Sequence, residues 1–132
     1  MSYELAVQTA IYTALNGDAT LGAMVTGIYD SVPQDTAYPY VTVGEDNHNE
    51  WDTNTTLGSD CSITIHTWSR SRGKKETKTI QGAIYDVLHR ANLSAAGYRI
   101  DLTEFVSSQS FTDSDGLTRH GVQTFRMLIE RI

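Results

Sequence analysis

The sequence predicts an α+β domain, with an antiparallel sheet of about four strands with long hairpins packed against an N-terminal helix and a central helix. Three observations lead there. Apolar residues recur at the three-and-four spacing of a helix near residues 7–15 and again near 77–88. Between these, and after the second, the spacing changes to the period of two that marks a strand with one buried face. The C-terminal third is cut in two by Asp115-Gly116, a strong hairpin signal.

The first helix follows from Val7, Ala10, Ile11, Ala14 and Leu15, which share one face. Ser2 is its expected N-cap and Asn16-Gly17 its stop. A second short helix is expected from about Ala19 to Val25 with Asp18 as cap, and Gly27 then releases the chain into IYDSV. In PYVTVGE, Val41, Val43 and Glu45 alternate against Tyr40, Thr42 and Gly44. Pro39 at the strand's first position removes no interior ladder bond. In DCSITIHTW, Cys61, Ile63, Ile65 and Thr67 alternate against Ser62, Thr64, His66 and Trp68. The intervening DNHNEWDTNTTLGS is polar except for Trp51 and Leu57, and is too long for a tight turn, so it reads as an extended hairpin tip or a mobile loop.

Thr77, Ile80, Ala83, Ile84, Val87 and Leu88 predict a helix from about Lys74 to Ala91, lying across the sheet. Two strands follow, roughly Arg99 to Thr112 and Thr118 to Glu130, with Phe125, Met127 and Ile129 facing inward. The element order is then ααββαββ. Residues 1–132 read as one domain without internal repeats or low-complexity segments.

Composition narrows the function. A chain of 132 residues with 39% hydrophobic and 20% charged residues can close a core without metal or disulfide staples. Cys61 is the lone cysteine, which forbids an intrachain disulfide and favours a reducing compartment. MSYELAVQTA lacks the basic start and apolar run of a signal peptide, and no apolar stretch reaches the ~20 residues of a membrane span. A net charge of -6 argues against a protein whose main work is gripping DNA, because phosphate contacts dominate such affinity.

Gly73-Lys74-Lys75 fails the phosphate-loop pattern, because Trp68 stands where the first Gly belongs and Lys75 where Ser or Thr belongs. His48, His66, His89 and His120 are scattered, and none pairs with Cys61 or another His at metal-ligand spacing. Asp46, Glu50 and Asp52 match no calcium loop. Cys61 aligns with the Ile63/Ile65 face, as a buried and inert thiol would. No catalytic, cofactor-binding or metal-binding residue is assigned, and no cofactor is expected.

The basic stretch SRSRGKKETK holds Arg70, Arg72, Lys74, Lys75 and Lys78, five of the ten Lys and Arg residues. Lys74 and Lys75 fall in the first turn of a predicted helix, where the macrodipole disfavours positive charge by some tenths of a kcal/mol each. Such placement suits a partner that brings negative charge. The chain itself carries Glu45, Asp46, Glu50 and Asp52, with Trp51 among them, around the long hairpin. Separate basic and acidic patches suit a head-to-tail contact in which one subunit's hairpin reaches the next.

Three segments, IYDSVPQDTAYPYVTVGED from Ile28, HTWSRSRGKKETKTIQGAIYDVLH from His66 and GLTRHGVQTFRMLIE from Gly116, together carry a family resemblance. They resemble the small tail-completion proteins of long-tailed bacteriophages, prophages and gene transfer agents, related in fold to tail terminators and tail-to-head joining proteins. The VPQ…PYV stretch and the WSRSRGKKETK turn are its most specific parts, and the Glu50-Trp51 loop also matches. The resemblance implies a structural virion protein with no active site, made in the host bacterial cytoplasm. It implies a homo-oligomeric, typically hexameric ring on the head-proximal end of the tail tube, which ends tube polymerisation and offers a surface to the neck connector. DNA would pass through the lumen without specific binding, eased by the net acidic charge. The residues leave two other readings, a nucleic-acid-binding module built on the 70–78 loop and a small hydrolytic enzyme.

Overall fold

The computed structural model describes residues 2–132. The first helix, α1 (Tyr3–Asn16), starts where Ser2 Oγ accepts the Leu5 N–H at 3.1 Å, and buries Ala6, Val7, Ala10, Ile11 and Leu15. Asp18 caps α2 (Ala19–Gly22) by accepting the Leu21 N–H at 2.8 Å. That helix stops at Gly22 rather than near Val25, so only one turn forms. Strands β1 (Ile28–Tyr29), β2 (Tyr40–Glu50) and β3 (Gly58–Ser69) follow. After them come helix α3 (Lys75–Leu88) and strands β4 (Ser94–Ala95), β5 (Tyr98–Thr112) and β6 (Arg119–Arg131).

The α+β class holds, and the sheet has six strands in the order β1-β2-β3-β6-β5-β4 instead of about four. The two additions, β1 and β4, are two residues each and so carry no alternation to be read from sequence. β1 pairs with β2 in parallel, which makes the sheet mixed at one edge; every other pairing is antiparallel. The long hairpins are as expected. β2–β3 turns through 51–57, and β5–β6 turns through 113–118.

α1 and α3 cover one face of the sheet. Val41 and Val43 of β2, Cys61, Ile63 and Ile65 of β3, and Phe125, Met127 and Ile129 of β6 meet Ile11, Leu15, Ile80, Ile84 and Leu88 there. Each large side chain taken fully out of water contributes about 1.5–3 kcal/mol, so this face supplies most of the stabilisation. α3 is shorter than the predicted Lys74–Ala91, because His89 is already extended and Arg90 takes φ 57°. No glycine marks that end, so the sequence carries no stop signal there.

One departure inside β2 decides the geometry of the uncovered face. Val43 pairs with Ile65 and Asp46 with Ile63, so Gly44 and Glu45 together stand opposite Thr64. This bulge adds one residue and reverses the alternation. Glu45, expected on the Val41/Val43 face, is therefore exposed on the other side, where it meets His66.

Candidate functional site

Strand register puts the two charged segments at different places along the sheet. Ser69 pairs with Arg119, so the basic loop lies at the end that also carries the 113–118 tip. Gly58 pairs with Glu130 at the opposite end, where Glu50, Trp51 and Asp52 lead into the 51–57 turn. The twelve residues of β3 span roughly 36–40 Å between these ends. Glu45 and Asp46 lie between them, mid-strand. Within one chain, no ion pair joins the two sets among the described residues.

The basic loop is built locally by Ser69 and Gly73. The buried Ser69 hydroxyl donates to Glu76 Oε1 at 2.6 Å while its oxygen accepts the Ser71 N–H at 3.1 Å. Gly73 takes φ 71°, a conformation that a side chain would strain. Lys74 sits at the N-cap position with no side-chain capping bond, and Lys75 is the first helical residue. The expected conflict with the helix dipole is thus present. Arg72, Lys74, Lys75 and Lys78 are exposed and make no ion pair among the described residues.

Arg70 differs from the other four cations. Its guanidinium lies 4.6 Å from the centre of the Tyr38 ring, its Nε donates to Thr118 Oγ1 at 3.3 Å, and Asp115 is 3.9 Å away. It ties the 38 region and the β5–β6 tip to the end of β3. Asp115 is itself fixed, and its carboxyl is held down to about 2 chiefly by the Thr118 N–H, then by the Thr118 hydroxyl and the Leu117 N–H.

The acidic set is more occupied than its sequence suggests. His66 contacts Glu45 at 2.8 Å and His48 contacts Asp46 at 2.7 Å. Glu50 Oε1 accepts the Asp52 N–H at 3.1 Å, and Asp52 Oδ1 accepts the Gly58 N–H at 2.9 Å. Trp51 is half-buried against Gly58, so closely that a Cβ there would stand 2.9 Å from the indole. The segment is an extension of strand β2 closed by a short, internally bonded turn. Even so, Glu45, Asp46, Glu50 and Asp52 are all exposed.

Nothing in the spacing of the sequence connects His66 and His120. In the fold His66 Nδ1 lies 2.7 Å from His120 Nε2, and His120 Nδ1 lies 3.4 Å from Asp113. Trp68 stacks on His120 with centroids 3.8 Å apart, and Phe111 approaches the same ring. Burial holds the His120 imidazole below the ordinary histidine range, with the neighbouring His66 acting in the same direction. The signal that finds this cluster is the β3–β6 register, which places Trp68 opposite His120, together with the β2 bulge. Cys61, by contrast, is as expected: it is buried, and burial pushes its thiol up to about 12. No His, Cys, Asp and Glu group suited to a metal ion occurs among the described residues.

Known proteins resemble this arrangement across almost the full chain. The profile of the family described as "Tail completion protein gp17" matches residues 9–130. The tail completion protein gp17 of Bacillus phage SPP1 is 27% identical over 124 residues, covering 94% of this chain and 92% of that protein. Its solved structure superposes with a TM-score of 0.63 at 26% identity, over 93% of this chain and 88% of that one. A chain in the virion of a native gene transfer agent particle superposes more closely, with a TM-score of 0.91 at 28% identity, over 98% of this chain and 99% of that one.

Proposed function

Because this chain belongs to the tail completion protein gp17 family, a family of structural virion proteins and not of enzymes, we propose how it completes a tail: it closes into a homo-oligomeric ring, a hexamer, at the head-proximal end of the tube. The ring ends tube polymerisation and offers its other side to the neck connector, and DNA passes through the lumen without specific contacts. Its place of synthesis is the bacterial host's cytoplasm.

The observation that supports this reading most is the lengthwise separation of charge. Arg72, Lys74, Lys75 and Lys78 are exposed at one end of the sheet and make no ion pair among the described residues, whereas Glu50 and Asp52 are exposed at the other. A basic patch unpaired among the described residues, with an acidic complement at the far end of the same fold, suits a head-to-tail contact that closes by rotation. In this reading Arg72, Lys74, Lys75 and Lys78 face Glu45, Asp46, Glu50 and Asp52 of a neighbour or a tail partner. Arg70 and Trp51 act behind them by fixing the two loops.

Electron microscopy of the purified chain with and without tail tubes tests the role directly. Rings capping tube ends are expected; filaments, or a monomer that ignores tube ends, would sink it. Charge reversal at Arg72 and Lys75 tests the contact, and should abolish assembly in a salt-dependent way. The alternative use of the 70–78 loop predicts tight nucleic-acid binding with a steep negative salt slope in a gel-shift titration.

A further inference from the structure

We propose that the groove between α2 and the start of α3 seats the 51–57 hairpin tip of a second copy of this chain, with Leu57 as the side chain that enters it. The inference rests on the ring reading above and names the contact by which neighbouring subunits meet.

The groove lies at the basic end of the sheet. Met24 and Ile80 form its floor and Arg72, Lys75, Glu76 and Thr79 its walls, around a space of about 420 Å³. Arg72, Lys75 and Thr79 are exposed, and neither cation makes an ion pair among the described residues. Glu76 is drawn back onto the Ser69 hydroxyl at 2.6 Å, and the two cations outnumber it. Past Met24 and Thr79 the trough runs on toward Asp18 and Asp86. An acidic ligand is therefore favoured at the α3 N-terminal end and opposed at the other.

An apolar floor between cations calls for an apolar side chain between acids. Each hairpin tip carries an exposed leucine, Leu57 at 48% and Leu117 at 60%. Leu117 has the wrong charge beside it, because Arg119 Nη1 donates to its carbonyl at 2.8 Å. Leu57 stands beside the exposed Glu50 and Asp52. The Trp51 N–H donates to Gly58 O at 3.1 Å and the Gly58 N–H to Asp52 Oδ1 at 2.9 Å, which hold the acids and the leucine together. The turn is closed by the Thr53 N–H on Thr56 O at 2.8 Å, and Leu57 O accepts the Arg131 N–H at 2.9 Å. A tip ordered before it binds loses little freedom on docking. The cations near it are engaged, Arg99 with Asp101 and Glu130, and Arg131 at 5.8 Å from the centre of the Tyr3 ring.

The occupant comes from another molecule. Groove and tip are separated by the length of β3, roughly 36–40 Å, so a chain cannot fill its own groove. A second copy supplies the matching tip and offers its own groove in turn. The contact joins two different surfaces, as a ring built head to tail requires.

Cross-linking on tail tubes of the same particle tests the seat apart from the ring. In a Cys61→Ala background, Asn54→Cys places a thiol on the exposed tip and Thr79→Cys one on the groove wall. Full chains carrying both, treated with a short bis-maleimide on the tubes, should give a ladder of chain multimers that neither single variant gives. Leu57→Ser should raise the chain concentration needed for assembly about tenfold, the worth of the leucine surface still left to bury. Its urea midpoint should match the parent's, and Leu117→Ser should leave assembly unchanged. Rings on tube ends without a ladder, or equal effects of the two serine variants, would overturn the seat and leave the ring reading standing. Cross-links from the Thr79→Cys variant to the tube protein would do the same, and would give the groove to that partner. Tube ends left uncapped by the parent chain would remove the ring reading and the seat together.

Discussion

Strand β3 shows two chemistries one residue apart. Cys61, Ile63, Ile65 and Thr67 point under the helices and are essentially without solvent contact. Ser62, Thr64, His66 and Trp68 point the other way, half-buried with no helix over them. On the covered side, contacts are mostly aliphatic and the cost of change is set by volume. The uncovered side is joined by polar contacts, such as Trp68 Nε1 donating to Thr42 Oγ1 at 3.1 Å and Arg126 paired with Asp60 at 2.8 Å. Folding thus draws on one face of this strand far more than on the other, and substitutions should sort by face rather than by position along the chain.

The largest contrast is expected from truncation. Phe125 is completely buried opposite Ile63, so Phe125→Ala should cost about 3–5 kcal/mol in urea unfolding, a large share of the about 5–15 kcal/mol typical of a domain. Thr64→Ala, beside Ile63 but on the other face, should stay within about 0.5 kcal/mol. Equal losses at the two would break the comparison.

Two glycines sharpen it at a smaller scale. A Cβ at Gly121, on the covered side, would stand 2.5 Å from Gln81 Nε2 and 2.9 Å from Thr77 Cγ2. Both neighbours are buried, so Gly121→Ala should cost about 1–3 kcal/mol by overpacking. At Gly44 the Cβ would displace the His66 ring, which can swing toward solvent, although Thr64 O at 3.0 Å limits how far the strands relax. Gly44→Ala should therefore unfold at a urea midpoint close to the parent while losing the Glu45–His66–His120 contacts in histidine spectra.

Reactivity offers a third comparison with little effect on stability. With its thiol pushed up to about 12 by burial, Cys61 should resist a thiol reagent at pH 8 until urea opens the chain. In a Cys61→Ala background, Ser62→Cys on the other face should label within the dead time of a manual assay. Rapid labelling of native Cys61 would mean that the covered face opens far more often than its packing implies.

The same contrast explains what could be read from sequence. Ile63, Ile65, Phe125, Met127 and Ile129 announce a buried face because period two and apolar character coincide, whatever the strand pairing. α1 and its Ser2 cap were legible for a similar reason, being local. Glu45 was misplaced because one extra residue in a bulge leaves no trace in residue types. His66 and His120 stayed apart because they lie 54 residues distant, and only register joins them. The basic loop was legible as a cluster of charge. The separate task of Arg70 was not, since it depends on Tyr38 and Thr118 arriving from other segments.

The smallest effect is expected at the β5–β6 tip, where Asp115 provides a pH signature distinct from that of the histidines. Its carboxyl is held down to about 2 by hydrogen bonds that the unfolded chain lacks, against about 3.9 for a free aspartate. A depressed carboxyl stabilises the fold above the unfolded value, and that contribution fades as pH falls through about 2. His120 is also depressed, so its penalty begins earlier: as pH falls below the ordinary histidine range, the unfolded chain takes up a proton that the folded chain resists. Asp115→Asn should therefore flatten the melting temperature between about pH 4 and pH 2 while leaving the histidine step intact. His120→Gln should do the reverse. Thermal melts of the two variants across pH read both windows, and a single variant that removed both steps would show that tip and histidine pair titrate as one unit.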